Sequence, residues 1–152
     1  MTTLLDGPAL PADVLDSLEF LMFGAVGMTS VALAGAAAGG LTMPQWRALV
    51  VIGRADQVRV GGVATAVGMS LPSTSRLIRR LERAGLVTSV RDEADRRATL
   101  VTLTPAGRRL RDDVVLRRRV LMEEALRARG TQLPADLEGG LAAIARAFER
   151  FI

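Results

Sequence analysis

The sequence predicts a mainly α-helical chain carrying one small β-hairpin. Three patterns predict it. Apolar residues recur at helical spacing over most of the 152 residues. Two runs rich in β-branched residues, Leu86–Val90 and Thr99–Thr104, flank the charged stretch RDEADRRA. Two short helical segments meet at a glycine-containing turn, and the second is rich in arginine.

Pro11 and Asp13 open a first helix expected to run to about Ala38, with Leu15, Leu18, Leu21, Met22, Ala25, Met28 and Ala32 on its apolar face. Gly39 and Gly40 are expected to end it. No charged residue occurs from Phe20 to Trp46, a length that satisfies a bilayer span on hydropathy alone. Against a span, the stretch holds Thr29, Ser30, Thr42 and Gln45, and its centre, GAAAGG at 35–40, is small rather than greasy. The preceding segment is acidic and lacks the basic start of a signal peptide. The expectation is a helix packed against a partner, with a membrane anchor as the alternative.

Thr42 is placed to N-cap a helix over Met43–Gly53 that points Trp46, Leu49, Val50 and Ile52 inward. A short strand is expected at Val58–Val60. GGVATAVGMS then supplies a short helix with a tight exit at Gly68, and Ser70 stands as N-cap of a helix from Leu71 to Ala84 closed by Gly85. After the hairpin, Thr104 and Pro105 begin a long helix to about Arg129, ended by Gly130. Its stripe is Leu110, Val114, Leu121 and Ala125, with Val115, Met122 and Leu126 beside it. Pro134 starts a last helix with Leu137, Leu141, Ile144, Phe148 and Ile152 on one face.

Composition removes most enzyme chemistry. Cysteine and histidine are absent, which excludes thiol nucleophiles, disulfides, Cys/His zinc sites and Ser-His pairs. Asp92, Glu93 and Asp95 are a weak carboxylate cluster, because neighbouring arginines neutralise them. No catalytic residue, metal site or cofactor is expected, and the chain reads as a non-enzyme.

Lysine is absent too, so all 20 basic residues are arginines, whose planar fork binds phosphate and guanine edges bidentately. Residues 1–46 hold no arginine and four acids. Residues 47–119 hold 16 arginines against 7 acids, and residues 120–152 hold 4 against 5. A basic centre between flanks of other character is the footprint of a polyanion-binding unit held by oligomerising segments.

The two short helices with their glycine turn form a helix-turn-helix pattern. At about 100° per residue, Leu71, Thr74, Ile78 and Leu81 share one side of the second helix. Pro72, Ser73, Arg76, Arg80 and Arg83 share the other, with Arg79 on the flank. A solvated surface would also carry arginines, but only Glu82 dilutes them here. Arg76 is placed to reach guanine O6 and N7 in a major groove, and Arg80 to reach phosphate or base. The hairpin tip is either a bare loop or a wing whose Arg96 and Arg97 follow a phosphate backbone or enter a minor groove. Asp95 is expected to orient the Arg97 guanidinium. Arg117–Arg119 read as a solvated face or a phosphate-facing rim.

The order of elements resembles the MarR (multiple antibiotic resistance regulator) family of winged helix-turn-helix regulators. The carrying stretches are LTMPQWRAL (Leu41–Leu49), VATAVGMSLPSTSRLIRRLERAGLV (Val63–Val87) and RDEADRRATLVTLTPAGR (Arg91–Arg108). The last holds the family's D-x-R wing motif at Asp95 and Arg97 and its L-T-x-x-G turn at Leu103, Thr104 and Gly107. The resemblance implies a winged helix-turn-helix flanked by dimerisation helices: residues 1–41 for an N-terminal dimerisation helix, 42–104 for the DNA-binding domain and 105–152 for C-terminal dimerisation helices. It also implies a cytoplasmic homodimer, most simply a repressor, that binds a pseudo-palindromic operator on double-stranded DNA.

Carried over residue by residue, Ser70, Pro72, Ser73, Ser75, Arg76, Arg79 and Arg80 match the recognition helix, and Arg91, Asp95, Arg96 and Arg97 the wing. The family's small aromatic or phenolic effector would be lined by Phe20, Phe23, Met43 and Trp46, which equally suit plain core packing. A winged-helix module for an acidic protein partner and a membrane-tethered regulator are the competing functions.

Overall fold

The computed structural model describes residues 11–36 and 40–149. In chain order the elements are α1 (Ala12–Ala34), α2 (Met43–Ile52), β1 (Val58–Arg59), α3 (Val60–Val67), α4 (Leu71–Arg83), β2 (Val87–Arg91), β3 (Thr99–Leu103), α5 (Pro105–Ala128) and α6 (Leu137–Phe148). The chain is thus mainly α-helical with a small antiparallel sheet.

Local chemistry explains most of these boundaries. At α2, Thr42 and Gln45 form a reciprocal capping box: the Gln45 backbone N–H donates to Thr42 Oγ1, and the Thr42 N–H donates to Gln45 Oε1 at 2.8 Å. The turn between α3 and α4 needs Gly68, whose φ of +69° lies in the left-handed region that favours glycine. At α5, the Thr104 hydroxyl accepts the Gly107 N–H at 3.0 Å and donates to the Gly85 carbonyl at 2.6 Å. One side chain therefore caps α5 and ties it to the residue that closes α4. Gly107 fits there because it has no side chain: a Cβ would lie 2.0 Å from the Leu86 carbonyl oxygen.

The core lies within the winged domain and reaches into α1 and α5. Leu49, Ile52, Val63, Leu81, Val101 and Val114 are fully buried together, and Ala32, Leu33 and Trp46 join them. The last turns of α1 pack on α5. Arg111 of α5 donates from Nη1 to the Gly53 carbonyl at 2.8 Å, fastening the end of α2 to α5.

Several expectations need correcting. The first helix ends at Gly35, whose N–H still bonds Val31, rather than at Gly39 and Gly40; residues 37–39 lie outside the described set. β1 is two residues long and forms the third strand of the sheet, pairing Val58 with Val101 and Arg59 with Leu100, so the wing is more than a hairpin. On α2, Ala48 is buried while Val50 is only half-buried. On α4, Leu71 is exposed and Leu77 takes the inward position beside Thr74, Ile78 and Leu81. On α5, burial stops at Val114, Leu121 is half-buried and Ala125 is exposed. α6 has no buried residue, and Ile152 lies outside the described residues.

α1 is little covered by its own chain. Only Thr29, Ala32 and Leu33 are buried along it, while Phe20, Leu21, Met22, Phe23, Val26 and Val31 are exposed. The helix is long and apolar enough to cross a membrane by length and composition alone. Leu116, Val120, Met122, Leu133 and Leu141 add exposed apolar surface on α5, α6 and their connection.

Candidate nucleic-acid interface

Apolar anchoring sets the orientation of α4. Leu77, Ile78 and Leu81 are buried, and burial of each such side chain contributes about 1.5–3 kcal/mol. Thr74 is fully buried with its hydroxyl donating to the Ser70 carbonyl at 3.1 Å. That face being fixed, Arg76, Arg79, Arg80 and Arg83 are held outward in solvent. Glu82, the helix's one acid, accepts a short hydrogen bond from the Ser89 hydroxyl of β2. The carboxylate is thereby drawn to the sheet, away from the arginine face.

The N-terminal turn of α4 presents Ser70, Leu71 and Pro72 at the surface with Ser73 half-buried. Ser70 Oγ donates to Ser73 Oγ at 3.0 Å, and Arg76 Nη2 donates to the same Ser73 oxygen at 3.0 Å. Ser75 is half-buried, and its hydroxyl proton is engaged by the Leu71 carbonyl at 2.9 Å. Among the described residues, no protein partner holds the guanidinium of Arg79, Arg80 or Arg83, or of Arg96 or Arg97 in the wing.

The wing tip is ordered by its own acids. The Asp92 side chain lies almost wholly inside the turn, where Oδ1 accepts the Ala94 N–H at 2.9 Å and Oδ2 meets Arg59 Nη2 at 2.7 Å. The Ala94 N–H is the main reason its carboxyl titrates below the ordinary range; desolvation opposes it, and the Arg59 cation adds to it. Asp95 does not take the expected contact with the Arg97 guanidinium. Its Oδ1 accepts the Arg97 backbone N–H at 3.1 Å, and its Oδ2 lies 4.0 Å from Arg59 Nη1. Arg91 reaches across the turn to donate to the Arg96 carbonyl at 2.9 Å. Asp95 and Arg91 thus shape the loop that carries Arg96 and Arg97, whose heads remain free.

Sequence reasoning missed Arg59 and the burial of Asp92. The two residues are 33 positions apart, and only the pairing of β1 with β3 brings them together.

The four residues expected to line an effector site are not gathered within one chain. Trp46 is a core side chain at 5% exposure, whereas Phe20 and Phe23 are 79% and 75% exposed. Phe20 stands about 18 Å along α1 from Ala32, where that helix enters the core. Two recesses among the described residues lie elsewhere. One, of about 550 Å³, is formed around Leu133, Leu137 and Leu141; the other, of about 370 Å³, lies between Gly53, Arg54, Arg108 and Arg111.

Residues 39–98 match the model of the MarR family, and the likeness to solved structures runs over nearly the whole chain. Over residues 39–98 the chain is similar to the MarR family. A MarR-family transcriptional regulator from Rhodococcus sp. RHA1 is 25% identical over 93% of this chain and 96% of its own, with a TM-score of 0.69. RV1404 from Mycobacterium tuberculosis is 26% identical, covers 94% of this chain and 96% of its own, and superposes with a TM-score of 0.72. The transcriptional activatory protein BadR from Rhodopseudomonas palustris is 43% identical over 72 residues, 45% of this chain and 41% of BadR. This chain therefore spans about two fifths of BadR's length in that match. The Rhodococcus protein is named as a transcriptional regulator and BadR as a transcriptional activatory protein, and this chain shares the winged-helix fold of the solved structures.

Proposed function

We propose that this chain is a MarR-family protein that binds double-stranded DNA as a homodimer and regulates transcription from a pseudo-palindromic operator, acting as a repressor by occupying promoter DNA. The observation that carries this reading is the outward face of α4: four arginines in solvent, with its one acid drawn aside by Ser89. In this reading α4 lies in the major groove. Arg76 is set toward a guanine edge and Arg80 toward phosphate or base, and Leu71 and Pro72 offer apolar contact at the leading end. Ser70, Ser73, Ser75 and Arg79 belong to the same surface. The wing brings Arg96 and Arg97 to the flanking minor groove, shaped from behind by Asp95 and Arg91. FabT of Streptococcus pneumoniae, which shares the fold, has been solved in complex with DNA.

The exposed face of α1 supports the dimer, with residues 1–41 and 105–152 as its helical part and 42–104 as the reading domain. With that face covered by a second copy rather than by lipid, the reading takes the protein as cytoplasmic. Half-sites then lie about 10–10.5 bp apart centre to centre. The reading also includes release by a small aromatic or phenolic ligand; BpsR of Bordetella bronchiseptica, of the same fold, is described as regulated in DNA binding by 6-hydroxynicotinic acid. Since Phe20 and Phe23 stand exposed in one chain while Trp46 is buried, a site using them draws on the second protomer.

The test is fluorescence anisotropy of detergent-free protein on duplex from upstream of its own gene and on a scrambled duplex, across a salt series. Preference for the native duplex with affinity falling steeply as salt rises is the expected result. Arg76→Ala should cost about 1–3 kcal/mol at one symmetric base position. Equal, weak binding to both duplexes refutes operator recognition, and tight capture of an acidic protein in its place would favour a protein-interaction module. A reporter fused to that upstream region, whose output should rise when the gene is deleted, decides repressor against the activating role named for BadR.

A further inference from the structure

We infer that Ser73 is a positioning residue for DNA reading: its hydroxyl, itself held by Ser70, sets the Arg76 guanidinium in the pose that meets a base. The inference rests on the DNA reading above and adds to it how one arginine of α4 comes to be specific.

The N-caps of α2 and α5 show why the arrangement is unusual. At α2 and α5 the capping threonine hydroxyl accepts the backbone N–H three residues on. That is the ordinary task of such a residue. At α4 the corresponding Ser70 makes no such bond, and its hydroxyl proton goes sideways to Ser73 Oγ. Ser73 Oγ then accepts from two sides, Ser70 Oγ and Arg76 Nη2, each at 3.0 Å. Three polar side chains one turn apart are thus linked along the exposed edge of the helix end that leads into the groove.

The chemistry suits bidentate readout. A guanidinium has five N–H donors, and Ser73 engages one proton on Nη2. The second proton of Nη2 and both protons of Nη1 remain, enough for the O6 and N7 acceptors of one guanine. Residues three apart on a helix are neighbours, so the bond draws the arginine head back along the helix toward its N-terminal turn. Arg79, Arg80 and Arg83 on the same face have no such tether and are free to follow phosphates. The tether removes rotamer freedom that a long side chain would otherwise lose on binding. Because both acceptor positions on Ser73 are occupied, its own proton is the one group it has left for DNA.

The experiment uses the full chain and a duplex selected by it from a random pool. Ser73→Ala, Ser73→Thr, Arg76→Ala and the Ser73→Ala/Arg76→Ala double variant are compared on that duplex and on versions with each guanine replaced in turn. We expect Ser73→Ala to lose about 3- to 10-fold in discrimination at the guanine position that Arg76→Ala also loses, with the salt dependence unchanged. Ser73→Thr should retain the discrimination, and Ser73→Ala should have no further effect once Arg76 is gone. Ser73 lies at the surface end of the helix, and a thermal melt of each variant monitors folding. Additive losses at two different positions would show that Ser73 touches DNA for itself and overturn the inference, as would unchanged discrimination in Ser73→Ala. If the parent selects no duplex, or Arg76→Ala loses no specificity, the DNA reading itself fails and this inference with it.

Discussion

The apolar half of α1 is the sharpest place to test assembly, through the double substitution Phe20→Ala/Phe23→Ala. The two rings are 79% and 75% exposed in the single chain, so about three quarters of each remains to be covered. Complete burial of a phenylalanine is worth about 1.5–3 kcal/mol, and a symmetric dimer contains four of these rings. Their joint contribution reaches about 4–9 kcal/mol if all are covered. With half of that offset by ordering and imperfect packing, the dissociation constant still rises about 30- to 2,000-fold. The fold of the single chain should hardly change, because α1 is anchored through Thr29, Ala32 and Leu33, which begin six residues beyond Phe23. The assay is sedimentation velocity over a dilution series, with anisotropy on a full duplex and on a single half-site. We expect the parent to stay dimeric at dilutions where the variant is monomeric, and the variant to lose its preference for the full site over the half-site. A variant as dimeric as the parent would refute α1 as the contact, and a monomeric parent would refute the dimer.

The wing should respond to acid through Asp92. A carboxyl held below its ordinary value of 3.8 favours the folded wing at every pH above that value and loses this contribution as pH falls through its lowered folded value. The protection of amides in the 92–98 loop, referred to intrinsic exchange at each pH, should therefore be level between pH 5 and 8 and fall below about 3.8, and Asp92→Asn should remove that acid limb; an identical limb in the variant would assign it to other carboxylates. Gly107→Ala sets a methyl 2.0 Å from the Leu86 carbonyl oxygen, which forces backbone to move. The expected cost is about 3 kcal/mol, or about 6–12 °C in Tm for a chain of this size, and a melt within about 1 °C of the parent would contradict the close approach of α5 to residue 86.

Local chemistry was legible in the sequence wherever the partners lie a few residues apart. Thr42 and Thr104 announce α2 and α5 because a cap and its target N–H are three residues from each other. The branched runs around RDEADRRA mark the hairpin for the same reason, and the arginine face of α4 follows from helical periodicity. What stayed hidden depends on distant contact. Leu71 has the right spacing to point inward, yet on the first turn of α4 it is exposed, and Leu77 is buried instead. Helical propensity continues through the alanines after Gly35, so composition could not place the end of α1. The Arg59–Asp92 pair required the strand pairing to be known first, and the same pair redirects Asp95 from the Arg97 head to its backbone. The apolar face of α1 was visible, but whether its own chain covers it was not.

Thr104 joins two pieces of the molecule that would otherwise be separate. Its single oxygen donates to the carbonyl of Gly85, where α4 has just ended, and accepts the N–H of Gly107, where the long helix begins. Arg111 adds a second fastening one turn on, at Gly53. The reading head is therefore welded to one end of a rod of 24 residues, about 36 Å long. A tilt of about 10° about the far end of such a rod carries the head through about 6 Å, nearly two base-pair steps along DNA, with no joint in the welded region to absorb it.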